Sequence, residues 1–255
     1  MDFYNTAEQP ARNTIFIGTK HSIYVVSYCL SLPYLQGHPL FLELSTHFSA
    51  KKPIKSIGFV VEKKDKLWRV AEKQHGYFTA KQAKEAGYRD SNFARYIQSG
   101  IWKKIQRGIY CFTHFPAYER PELIIWFLWS QTRKDPGCGV WSHETALEIH
   151  DLSDVNPLKM HMTVPERFRK RGKPGFISLH CGTFSKMEIQ EKDGYLITTP
   201  LRTLVDVFRE ESLEPSLLRQ SVREALSKGM VTKIELAKMK KFYPEVEKIL
   251  EVVDG

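Results

Sequence analysis

GYFTAKQAKEAGYRDSNFARYIQSGIWKKIQRGIY (residues 76–110) switches from helical to alternating hydrophobic spacing at Gly100, and that switch decides the fold. Just before it, DKLWRVAEKQ (65–74) sets Leu67, Val70 and Ala71 at helical spacing with charges on the other face, an amphipathic support helix that Gly76 stops. After Tyr77 and Phe78, Thr79 stands where a helix cap belongs, and Gln82 three residues on completes a capping box. Gly87 ends that two-turn helix. Asp90 or Ser91 is expected to cap a third helix, in which Phe93, Tyr96 and Ile97 face inward and Ser91, Asn92, Arg95 and Gln98 face out. Ile101 to Ile105 then alternates, Gln106-Arg107-Gly108 turns, and Ile109 to Phe112 returns as a second strand. Three helices followed by a basic hairpin spell a winged helix-turn-helix over residues 65–115. Its outward helix face can read base edges, and Lys103, Lys104 and Arg107 on the wing can meet phosphates.

Charge is distributed to match. Of a net +9 over 255 residues, residues 65–112 hold 10 Lys+Arg against 4 Asp+Glu, while residues 113–255 hold 21 against 21. Positive density therefore coincides with the one motif whose geometry needs phosphate contacts, which favours double-stranded DNA as partner. Cys29, Cys111, Cys138 and Cys181 are far apart and form no CxxC pair, so neither a zinc site nor a disulfide framework is indicated, and a reducing cytoplasm is expected. The apolar run Ile23 to Leu35 contains Pro33 and falls short of the about 20 residues that span a bilayer, so no membrane association is expected.

Outside the winged module the chain reads as two further regions. Residues 1–60 fit poorly with the rest of the chain: they are either a packed N-terminal extension or the product of a start codon set too early, with initiation near Val60, Val61 or Leu67. Residues 116–255 read as a C-terminal α/β domain with its own core. Pro121 opens an apolar helix through Ser130, Asp135-Pro136-Gly137 turns, and Ser142 is positioned to cap a helix carrying Ala146, Leu147 and Ile149. Strands are expected at Lys159–Val164, Phe176–His180 and Tyr195–Thr198. Helices then open at Thr199-Pro200 and Pro215, and Thr232 with Glu235 caps a last one ending near Tyr243-Pro244. The fold class is mixed α/β (α+β), with the winged helix first.

Catalytic signatures are missing. His143-Glu144-Thr145-Ala146-Leu147 begins like a zinc-protease helix, but Leu147 stands where the second ligand histidine is needed. His180 and Cys181 are adjacent on a strand and point to opposite faces, so they read as structural. No phosphate loop, nucleophile elbow or dinucleotide fingerprint occurs. Glu188, Glu191, Asp193 and Asp206 have no metal-binding spacing and read as solvated charge. No metal, cofactor or enzymatic activity is expected. Arg202 and Asp206 sit at i, i+4 and can form a helix-face ion pair worth about 0.3–0.5 kcal/mol. The basic run Arg167, Arg169, Lys170, Arg171 and Lys173 around Phe168 is either a solvated hairpin tip or a second nucleic-acid contact.

The order of these pieces resembles the AbiE-type antitoxins of bacterial type IV toxin–antitoxin (abortive infection) systems. The similar stretches are residues 76–110, WSHETALEIHDLS (141–153), MHMTVPERFRKRG (160–172) and ITTPLRTLVDVF (197–208). The resemblance implies a cytoplasmic repressor that binds an operator in its own promoter and counters a co-encoded nucleotidyltransferase-like toxin, with no stable complex required. Through it, Arg167, Arg169, Lys170, Arg171, Lys173, Arg202 and Asp206 become candidates for antitoxicity. Two rivals stay open: a DNA-targeting nuclease, and a plain regulator without a toxin.

Overall fold

The computed structural model describes residues 13–19, 22–28, 55–131, 139–169, 172–211 and 213–254, with side chains between residues 62 and 252. The chain divides into two compact units, Met1–Pro53 and Ile54–Gly255. Within the first, β1 (Asn13–Thr19) and β2 (Ser22–Tyr28) form an antiparallel hairpin with Gly18 opposite Ile23. Residues 1–12, 20–21 and 29–54 of the N-terminal extension, the Asp135-Pro136-Gly137 turn, Lys170 and Arg171 lie outside the described residues.

The second unit begins with the winged helix. Helix α1 (Lys55–Glu72) starts ten residues before the stretch whose periodicity announces it and buries Leu67 and Ala71. Strand β3 (Tyr77–Thr79) leads into α2 (Ala80–Glu85), and the Thr79–Gln82 capping box is formed in full. Gln82 also exchanges amide hydrogen bonds with the buried Gln74, which locks the end of α1 to the start of α2. A 3-10 turn (Asp90–Asn92) precedes α3 (Phe93–Gln98). Neither Asp90 nor Ser91 caps α3: the turn begins at Arg89, and Asn92 occupies the cap position without a side-chain bond. The 3-10 turn explains the difference, because it extends the helical path backward past the two residues whose side chains were expected to close it. Strands β4 (Trp102–Gln106) and β5 (Ile109–Phe112) complete a three-stranded sheet of order β3-β5-β4. Trp102, 2% exposed, is its keystone, ringed by Phe78, Tyr88, Phe93, Tyr96 and Tyr110 at centroid distances of 4.6–6.0 Å.

Downstream, helix α4 (Pro121–Ser130) lies against one face of a five-stranded sheet built from β6 (Val140–Trp141), β7 (Met160–Val164), β8 (Ile177–Cys181), β9 (Ile189–Lys192) and β10 (Tyr195–Thr198). The order is β8-β7-β6-β10-β9, with β7–β8 and β6–β10 parallel and the other pairs antiparallel. Leu123, Ile124, Phe127 and Leu128 of α4 meet Trp141, Met162, Val164, Ile177, Tyr195 and Ile197 in one core. Full burial of each such side chain is worth about 1.5–3 kcal/mol. Ile109 of the wing joins the same core, with Tyr77 packed against it, and His75 stacks on Tyr118 at 3.9 Å.

On the opposite face α5 (His143–Ile149), α6 (Pro200–Glu210), α7 (Pro215–Ser227), α8 (Lys233–Met239) and α9 (Glu245–Asp254) gather a second core around Leu147, Leu204, Val207, Val222 and Ile249. Thr232 caps α8 through the expected box with Glu235, and Thr199, where α6 was expected to open, accepts from the Arg202 amide as its cap. Ser142 precedes α5 but makes no cap bond; its hydroxyl is held instead by Thr163 Oγ1 at 2.7 Å. The last helical region is also divided: α8 stops at Met239 and α9 resumes after Pro244.

Candidate nucleic-acid interface

Two neighbouring elements present the polar face of the winged helix. Phe93 anchors α3 in the core, with Tyr96 and Ile97 packed beside it, which leaves Ser91, Arg95 and Gln98 exposed and Asn92 half-buried. Asn92, Arg95 and Tyr96 line a shallow groove of about 290 Å³ together with Lys63, Tyr88 and Arg89. The Arg95 guanidinium lies 5.5 Å from the centroid of the Tyr96 ring. Arg89, exposed beside this groove, was not singled out from the sequence, since the residue before a helix carries no periodicity of its own. Lys84 and Asp90 form an ion pair with both side chains more than half exposed, which contributes little to stability.

In the wing, Lys104 faces Tyr110 and Lys103 faces Cys111 across the β4–β5 ladder. Successive side chains of a strand point to opposite faces. Lys104 therefore shares the face of Trp102, on which α3 packs, while Lys103 shares the other face with Cys111. Burial drives the Cys111 thiol up to about 11 despite Lys103, so this cysteine is no reactive thiolate. Arg107 and Gly108 make the tip; Gly108 has φ +79°, and its carbonyl accepts from the Ala80 amide at 2.8 Å, tying the tip to the start of α2. Arg107 is exposed to solvent.

The other candidate residues separate into two places. Arg167, Arg169 and Lys173 are exposed beyond the end of β7; Arg169 donates to the carbonyls of Glu166 and Phe168, while Phe168 packs edge-on against Trp129 at 5.8 Å. Arg202 and Asp206 are elsewhere and are not the exposed helix-face pair expected. Their side chains are only 12% and 4% exposed, with Arg202 Nε donating to Asp206 Oδ1 at 2.8 Å. Arg202 also pairs with Glu188, which accepts from the Tyr243 hydroxyl as well, and its guanidinium lies over Phe184 at 4.9 Å. Glu188 and Asp206 thus are not solvated charges: their side chains are largely buried, and Arg202, Tyr243 and the Ser185 amide are their partners. Burial works against ionisation of Glu188, yet hydrogen bonds from Tyr243, the Ser185 amide and Arg202 hold its carboxyl down at about 2. Burial prevails at Asp206 and lifts it to about 6, with the Arg202 charge opposing. Arg202 is therefore the hub of a packed ionic network.

Residues 65–113 match the family model for the AbiEi antitoxin transcriptional regulator. The match begins inside α1 and ends just past β5, so it coincides with the winged helix. The resemblance to AbiEi-type antitoxins thus holds over this module. No curated protein matches the chain. Among solved structures, the RV2827C protein from Mycobacterium tuberculosis is similar at 13% identity over 76% of this chain and 77% of that chain, with a TM-score of 0.45. Among the described residues, no helix is long and apolar enough to cross a membrane.

Proposed function

We propose that the protein is a DNA-binding transcriptional repressor of its own operon and an antitoxin that counters a co-encoded nucleotidyltransferase-like toxin in the cytoplasm. The observation that carries this reading is the coincidence, over residues 65–113, of the AbiEi regulator match with a winged helix whose outward face bears Ser91, Asn92, Arg95 and Gln98. In this reading α3 enters the major groove. Asn92 and Arg95 supply bidentate contacts to adenine and guanine, and Lys104 and Arg107 engage backbone phosphates beside it. Lys103, on the far face of the wing, meets DNA only through its edge. The C-terminal region carries the antitoxin activity, with the basic segment around Arg167, Arg169 and Lys173 as the surface it uses.

Fluorescence anisotropy with the DNA upstream of the gene tests the first half. Binding tighter than to a shuffled duplex of equal length, lost on raising salt, supports it; equal affinity for both removes the operator. Co-expression with the adjacent reading frame tests the second half, since rescue of growth is expected only if that frame encodes a toxin.

A further inference from the structure

Three histidines that share no sequence spacing meet between the edge of the five-stranded sheet and the helices covering it. His143 opens α5, His161 lies on β7, His180 lies on β8 and Glu210 ends α6. In the parallel β7–β8 pair Thr163 faces His180, so His161 and His180 project from the same side of the sheet, toward α5. We propose that His143, His180 and Glu210 bind one divalent transition-metal ion of the zinc type, leaving a fourth coordination position for water.

The ligand atoms converge. One nitrogen from each imidazole and one oxygen of Glu210 lie within 4.8 Å of one another. His180 Nδ1 is 2.6 Å and His143 Nε2 is 3.4 Å from Glu210 Oε1. Ligand atoms around tetrahedral zinc stand roughly 3.3 Å apart, given bonds of about 2.0–2.1 Å, so the separations need only small side-chain adjustments. The two rings are stacked at 3.8 Å, with His143 Nε2 and His180 Nδ1 both on the side of Glu210. Two imidazoles and a carboxylate are a donor set that suits zinc.

The second nitrogen of each ring is what separates this cluster from a chance meeting of polar side chains. His143 Nδ1 is 2.9 Å from Ser142 Oγ, itself 2.7 Å from Thr163 Oγ1. His180 Nε2 is 3.0 Å from His161 Nδ1, and His161 Nε2 in turn faces Glu144 at 3.8 Å. Protons can be assigned without conflict. His143 Nδ1–H donates to Ser142, His180 Nε2–H donates to His161, and His161 Nε2–H points to Glu144, which leaves His143 Nε2 and His180 Nδ1 as free lone pairs on the Glu210 side. Metal-binding histidines are held in this way, by an acceptor on the nitrogen that does not bind. His143 is 6% exposed, so its ring is held in place by the surrounding side chains.

The test uses the full chain stripped of metal with a chelator. Cobalt(II) is added and its visible d–d absorption followed, and zinc affinity is then measured by competition with a chromophoric chelator. The comparison protein is H180A/E210Q, with E210Q alone as a milder variant that removes one ligand at a side chain 36% exposed, its fold checked by circular dichroism. The expected result is one zinc per chain, a cobalt spectrum that zinc displaces, an affinity at least about 100-fold lower in the double variant and, for His161→Gln, a loss of about 10-fold through positioning. If the wild type binds no more zinc than H180A/E210Q, or the cobalt spectrum is the same in E210Q, the cluster is a hydrogen-bonded histidine–glutamate network only and the proposal fails.

Discussion

Replacing Arg202 by methionine is the most demanding test of the C-terminal fold. The substitution keeps the aliphatic stem but removes the cation between Glu188 and Asp206, whose side chains are 12% and 4% exposed. Breaking a buried pair by deleting one partner costs about 3–5 kcal/mol, because the remaining charge is left unpaired. The low end, about 3 kcal/mol, is expected at pH 7, since Asp206 is already raised to about 6 and escapes part of the penalty by taking up a proton. For a unit of this size each kcal/mol moves Tm by roughly 2–4 °C, so R202M should melt about 6–12 °C lower. The loss should also depend on pH. In the wild type Glu188, held at about 2, contributes stability above its unfolded pKa that disappears as pH falls toward 2. Asp206 acts in the opposite sense: its raised pKa favours the folded state at lower pH, and that contribution is lost as pH rises through about 6. Without Arg202 both carboxyls shift upward, the folded variant binds more protons than the unfolded chain, and its deficit narrows between pH 7.5 and pH 5. Thermal and urea unfolding followed by circular dichroism measures this. A loss below about 1 kcal/mol, or one that does not change with pH, refutes the assignment of Arg202 as the hub.

Other expectations concern DNA binding and the division of the chain. Lys104→Ala and Arg107→Ala should weaken binding to all sequences alike and reduce the slope of log K against log salt by about 0.9 for each lost contact, whereas Lys103→Ala on the opposite face of β4 should change it by much less. Equal effects of Lys103 and Lys104 in a salt titration would contradict the orientation of the wing. Asn92→Ala or Arg95→Ala should each remove about 1–3 kcal/mol of preference for operator over random duplex, read by competition binding; undiminished discrimination would displace α3 as the reading element. A fragment beginning at Pro116 should fold and rescue cells from the cognate toxin without binding the operator, but it leaves α4 without Ile109 and Tyr77 and should melt below the full chain. If residues 65–115 alone gave the rescue instead, the antitoxin activity would belong to the winged module.

Much of the winged helix was legible because its determinants are local. Thr79–Gln82 and Thr232–Glu235 are boxes closed within three residues, and both formed. The change from helical to alternating spacing at Gly100 marks the start of β4 to within two residues. Ser142 shows where local reading stops. Its sequence context is that of a cap, but Thr163 and His143 recruit the hydroxyl, and a partner 21 residues away is invisible to a rule that looks three residues ahead. Strands β6 and β9 escaped for another reason: Val140–Trp141 is too short to show a period, and Ile189–Lys192 is too polar to look half-buried. Arg202–Asp206 was visible as a pair, but Glu188 and Tyr243, which turn the pair into a network, lie 14 and 41 residues away.

The histidines make the same point with greater consequence for function. Met160–Val164 alternates, and alternation is ordinarily read as one face in the core and one in water. Both faces of β7 are covered: Met162 and Val164 enter the core beneath α4, while His161 and Thr163 lie under α5, Thr163 with only 4% exposure. The period of a strand reports the polarity of its two faces, not their access to solvent. A polar face that is covered by a helix must find partners inside the protein. Here the partners are Ser142, at the start of α5, and His180, on β8, gathered from two other segments. A histidine that looks solitary in the sequence is therefore best judged by what covers its strand, and in this chain that cover is α5, the helix that itself begins with a histidine.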